Sequence, residues 1–129
     1  MTWRWIAAFL VLGVLASTAL MVSRYPRSIS DPVRLRSVRS EAMDLMTRYA
    51  TPRGSKSNFV SVPQNRLPAA IAALQAERVT VDAGMVDISI RSYFDGGWGY
   101  HIPKNRTDLP MPAECYSEPL SGVFWHGPC

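Results

Sequence analysis

The chain has little with which to do covalent or redox chemistry. Its 129 residues include only two cysteines and two histidines. No cysteine stands directly after the long apolar run near the start, which excludes a lipoprotein-type attachment. No internal repeat or low-complexity tract is visible, so nothing points to a repeat array. The glycines around Asp95, Gly96, Gly97 and Gly99 lack the following helix N-terminus that a phosphate-binding loop needs. Residues 57–129 hold five basic and seven acidic groups, so the distal part carries no basic footprint for nucleic acid.

What the sequence does have is one uncharged stretch, residues 5–23 (WIAAFLVLGVLASTALMVS). A helix of that length spans about 28 Å, close to the hydrocarbon thickness of a bilayer. Trp3, Arg4 and Trp5 flank one end, and Arg24 and Tyr25 the other, residue types that settle at the headgroup level. A cleaved signal peptide would use residues 6–16 as its core and Ser17, Thr18 and Ala19 as its site. It would leave Leu20, Met21 and Val22 unexplained, so an uncleaved single-pass transmembrane anchor is the preferred reading.

Two observations about orientation disagree. Arg24, Arg27, Arg34, Arg36 and Arg39 follow the anchor, and the positive-inside bias would place the following domain in the cytoplasm. These arginines also suit anionic lipid headgroups. Cys115 and Cys129, if bridged, would close a 15-residue loop and indicate an oxidising, extracytoplasmic side. Two free thiols would side with the arginines.

Downstream, the organisation reads as residues 1–25 for the anchor with its flanks, 26–58 for a basic juxtamembrane helix and loop, and 59–129 for a small α+β domain. Asp31 and Pro32 supply an N-cap and a first helical residue. Leu35, Val38, Ala42, Leu45, Met46 and Tyr49 then form a narrow apolar stripe, suited to a core or to the bilayer surface. Pro52 and Gly54 end the helix, and residues 51–58 read as a polar loop. Residues 59–62 are short and β-prone. A second, shorter helix is expected from Leu67 to about Ala76. The period then changes to two: Val79 and Val81, then Val86, Ile88 and Ile90, alternate with polar residues. Asp95, Gly96 and Gly97 make a hairpin turn, and Trp98, Tyr100 and Ile102 return on one face. Residues 103–119, broken by prolines, show little secondary structure, and residues 122–126 read as a last strand. The fold class is therefore α+β, with an amphipathic helix, a short second helix and an antiparallel sheet of three to four strands.

Several residue sets invite a chemical reading. His101, Cys115, His126 and Cys129 offer the donor types of a zinc shell, but without its paired spacing. Cys115 with His101 and Asp108 offers the ingredients of a nucleophile, with no family signature around them. Asp82 and Asp87 alternate with apolar residues, as solvated outward positions of a one-sided sheet do. The aromatic residues concentrate towards the C terminus, and Phe124 and Trp125 must point to opposite faces. An exposed aromatic surface of Trp98, Tyr100, Phe124 and Trp125 is the binding surface these patterns suggest. The expectation is a membrane-anchored interaction domain without catalytic activity, resident metal or cofactor, contacting the bilayer and a protein or envelope partner. The alternative is a zinc- or thiol-dependent site built from His101, Cys115, His126 and Cys129.

Overall fold

The computed structural model describes residues 6–8, 10–11, 13–14, 25–49, 59–94 and 96–129. Among the described residues, no helix is long and apolar enough to cross a membrane. Most of the apolar run 5–23, the polar loop 51–58 and Asp95 of the hairpin turn lie outside the described residues.

Helix α1 (Pro32–Arg48) starts where its cap chemistry places it. Asp31 accepts a hydrogen bond from the Val33 N–H at 2.9 Å, and Pro32 occupies the first turn. The stripe of Leu35, Val38, Ala42, Leu45 and Met46 is buried, while Arg36, Ser40, Asp44, Thr47 and Arg48 are exposed. Each large apolar side chain so buried contributes about 2 kcal/mol. The stripe packs on a sheet and not on a bilayer, since its residues share one core cluster with the strands.

That sheet has six antiparallel strands where three to four are expected from the sequence. They are β1 (Phe59–Ser61), β2 (Arg78–Asp82), β3 (Met85–Arg91), β4 (Trp98–Pro103), β5 (Tyr116–Leu120) and β6 (Val123–His126). Their spatial order is β1-β2-β3-β4-β6-β5. The strand missed in the sequence is β5. Its residues Tyr116, Ser117, Glu118, Pro119 and Leu120 show no apolar alternation, and Pro119 argues against a strand. An edge position removes the objection, because an edge strand can spare one N–H. Helix α2 (Ala69–Ala72) is shorter than expected, and the chain turns at Gln75, which has a φ of 54°. Glu41 of α1 holds the start of α2 by accepting the N–H groups of Ala70 and Ile71 at 3.0 and 2.9 Å.

The period-two pattern sorts the two faces. Val79, Val81, Val86, Ile88, Tyr100, Ile102 and Val123 face the helices and are fully buried. The Tyr100 hydroxyl accepts the Ile29 N–H at 2.6 Å, tying the segment before α1 to the central strand. At the β3–β4 turn, Gly96 and Gly97 take φ values of 108° and 85°, the left-handed backbone that the turn requires. The outer face carries Asp87, Ser89, His101, Phe124 and His126. Part of it is covered by the segment between β4 and β5, where Arg106 stacks over the Phe124 ring at 5.2 Å.

Candidate metal centre

The aromatic surface expected from the sequence is not assembled as a patch. Tyr100 is buried in the core with its ring 4.8 Å from that of Trp125, its register partner on β6. Phe124 is buried on the opposite face beneath Arg106 and beside Tyr116. Trp98 and Trp125 are half-buried. Both faces of the sheet have cover at these four positions, so Trp98, Tyr100, Phe124 and Trp125 do not form one exposed surface.

Cys115 and Cys129 are bonded to each other, with their Cα atoms 5.8 Å apart. No free thiol remains. The His101, Cys115, His126 and Cys129 shell therefore has no thiolates to offer, and Cys115 cannot serve as a nucleophile. Asp108 is occupied locally, accepting the Asn105 N–H at 3.1 Å to cap the turn Arg106–Asp108. Asp82 accepts the N–H groups of Gly84 and Met85, both at 2.7 Å, and so shapes the β2–β3 turn.

The two histidines, in contrast, do meet, and their third companion is Asp87. In the antiparallel register Asp87 stands opposite His101, and His101 stands opposite Phe124. His126 lies diagonally from His101, with their ring centroids 4.3 Å apart. Asp87 is thus half-buried beside an imidazole, where a solvated outward position is expected from the sequence. Gly99 is opposite His126. A Cβ at Gly99 would collide with the Ile88 carbonyl oxygen, and its absence leaves no side chain beside the His126 ring there.

Each of Asp87, His101 and His126 offers one donor atom within 4.8 Å of the other two. His101 Nε2 lies 3.6 Å from Asp87 Oδ1. Two donors on one tetrahedral zinc ion sit roughly 3.3 Å apart, so this edge is almost ready-made. The far side of each ring is held. His101 Nδ1 is 2.7 Å from the Tyr116 hydroxyl, and His126 Nδ1 is 3.4 Å from the Gly127 carbonyl oxygen, a long contact. Such outer partners fix the ring and its tautomer, leaving Nε2 with the lone pair.

His126 Nε2 is buried and has no hydrogen-bond partner. A buried polar atom without a partner costs about 1–3 kcal/mol, so its presence calls for a compensating ligand. Burial also lowers the His126 pKa below the usual imidazole value, with the nearby His101 adding to the effect against the weaker pull of Gly127 and Asp87. At neutral pH this imidazole is uncharged and can donate its lone pair to a cation. Burial pushes the Tyr116 phenol up from its ordinary value, so it stays protonated as a hydrogen-bonding partner. Beside Tyr116 lies a depression of about 200 Å³, also lined by Arg106, Leu109, Met111 and Phe124. That volume is below the usual range for organic ligands and suits a small occupant.

Period two was the signal that placed Asp87 and His101 on the outer face. The sequence contained nothing to fix the register that sets them opposite each other, or the β4–β6 pairing that brings in His126. Comparison with protein-family models, with curated proteins and with solved structures finds no match to this chain.

Proposed function

We propose that this chain is a membrane-tethered domain displayed on the oxidising side of the membrane, where it binds one divalent transition-metal ion through Asp87, His101 and His126. The observation that carries the reading is the buried, unpartnered Nε2 of His126, on a ring packed against the imidazole of an imidazole–carboxylate pair. Two imidazoles and one carboxylate suit zinc and its first-row neighbours, whereas calcium and magnesium prefer an all-oxygen shell. Three protein donors leave a coordination position for water or a partner's group. The role is binding and display, not turnover. The Cys115–Cys129 bond removes the thiol nucleophile, and the adjoining depression is small.

The membrane tether rests on residues 5–23, whose length and flanks suit a single span. The Cys115–Cys129 bond supports the extracytoplasmic side, against the arginine bias of residues 24–39. A metal that binds only the folded chain stabilises it by about 2.7 kcal/mol when present at a hundredfold its Kd. The test is therefore the melting temperature of the full chain with and without zinc, beside Asp87→Asn and His126→Asn variants. A zinc-dependent rise in the parent chain that either variant reduces supports the reading. An unchanged melting temperature in the parent chain rejects it.

A further inference from the structure

The end of the sheet against which Tyr25 packs carries a second feature, which the metal centre does not use. Tyr25 and Tyr93 each place their ring centroid 5.5 Å from that of Trp98, one on the segment before α1 and the other beyond β3. Next to them, Phe94 is 97% exposed, while Tyr25 and Tyr93 are 58% and 60% exposed. Single exposed apolar residues are ordinary on a protein surface. Here four aromatic residues from three parts of the sequence gather at one end, and the one without a polar atom is the most exposed.

We propose that this cluster, Tyr25, Tyr93, Phe94 and Trp98, seats the domain on the lipid bilayer surface at the β3–β4 tip. The inference rests on the reading of residues 5–23 as a membrane segment. Chain continuity supplies the occupant. Tyr25 follows the last residue of the apolar run, Ser23, by two positions, and consecutive Cα atoms are about 3.8 Å apart. Tyr25 therefore cannot lie more than about 8 Å along the chain from that run, and its ring contacts Trp98. Wherever the run meets the membrane surface, the aromatic cluster is held beside it.

The residue types suit that place. Tryptophan and tyrosine favour the headgroup level, where a ring meets hydrocarbon and a polar atom meets water. Phe94 at the extreme tip has no polar atom to keep wet and reaches deepest. Arg27 is exposed two residues after Tyr25 and can meet lipid phosphates. Among the described residues, Glu77 is an acidic group at this end; Asp95, next after Phe94, lies outside them. Glu77 is exposed and accepts the Ser92 N–H at 2.8 Å, which holds the base of the tip.

Four tryptophans occur in the chain: Trp3, Trp5, Trp98 and Trp125. Replacing Trp3 and Trp5 by Phe leaves Trp98 at the proposed surface and Trp125 packed against the core. The test reconstitutes this full-length W3F/W5F chain in phosphatidylcholine–phosphatidylglycerol vesicles containing lipid brominated in the upper acyl chain. With one of two emitters at the interface, about half of the fluorescence should be quenched. Adding Trp98→Phe should abolish that quenching, and Y93S/F94S should reduce it without altering the fold. Three results would overturn the proposal. Vesicle-bound chain without quenching would reject the docking while leaving the tether intact. Chain that fails to associate with vesicles would reject the tether, and the docking with it. A blue-shifted Trp98 that bromine does not reach, in chain that self-associates, would assign the patch to a second copy.

Discussion

His101 lies between a phenol and a carboxylate, with the Tyr116 hydroxyl 2.7 Å from Nδ1 and Asp87 Oδ1 3.6 Å from Nε2. The phenol comes from edge strand β5 and the carboxylate from central strand β3, so the imidazole bridges elements that are distant in the sheet order. With a metal on Nε2, the Nδ1–H donates to the phenol oxygen and fixes the ring. Tyr116→Phe removes that acceptor and little else. Outer partners of this kind are worth about 10- to 100-fold in metal affinity. A cobalt titration of Y116F, followed by absorbance, should show affinity weakened by about tenfold with unchanged stoichiometry. Unaltered affinity would mean that Tyr116 merely packs.

The depressed pKa of His126 has a consequence for acid stability. The unfolded chain takes up a proton near the ordinary value of 6.5, before the folded chain does. Stability is therefore complete above that value and falls as pH drops from 6.5 towards the lower folded pKa. Urea midpoints of the metal-free chain at pH 7.5, 6.0 and 5.0 should decline in that order. His126→Asn should flatten the part of the decline that falls in this window.

Glu41 reaches from α1 to the first N–H groups of α2, a tertiary cap joining residues about thirty apart in sequence. Glu41→Ala leaves both donors without a protein partner at a half-buried site. The expected cost is about 2 kcal/mol, read as a lower urea midpoint with an unchanged slope. Glu41→Gln, which keeps one acceptor oxygen, should lose less.

The Cys115–Cys129 bond pins the start of β5 to the segment after β6. A loop of this length adds about 3 kcal/mol when closed. Reduction should therefore lower stability by that order and loosen Tyr116, the residue directly after Cys115, with a secondary loss of metal affinity. In cells, alkylation before and after reduction should find both thiols protected until reductant is added. Free thiols in intact cells would place the domain in the cytoplasm.

The legible and illegible parts of the fold divide along local and non-local physics. Helix α1 was legible because Asp31, Pro32 and a 3.6-residue stripe all agree over 17 residues. Strands β2 to β4 were legible through their alternation and the Gly96-Gly97 turn. Strand β5 was not, since its pairing comes from β6 and its edge position, and Tyr116 to Leu120 carry no pattern of their own. The expected aromatic surface failed for a related reason: Phe124 is covered by Arg106, a contact that sequence spacing cannot show. The histidines drew notice as residue types, but with the wrong companions. Cys115 and Cys129 bond each other, and it is register that supplies Asp87.

The most direct measurement is X-ray absorption at the zinc edge on the full chain loaded with one equivalent of zinc. The expected spectrum has two imidazoles and oxygen donors at about 2.0–2.2 Å, with no sulfur shell. Loss of one imidazole in His126→Asn would complete the assignment. A sulfur shell at about 2.3 Å, or zinc that washes out before the spectrum can be taken, would contradict a centre built from Asp87, His101 and His126.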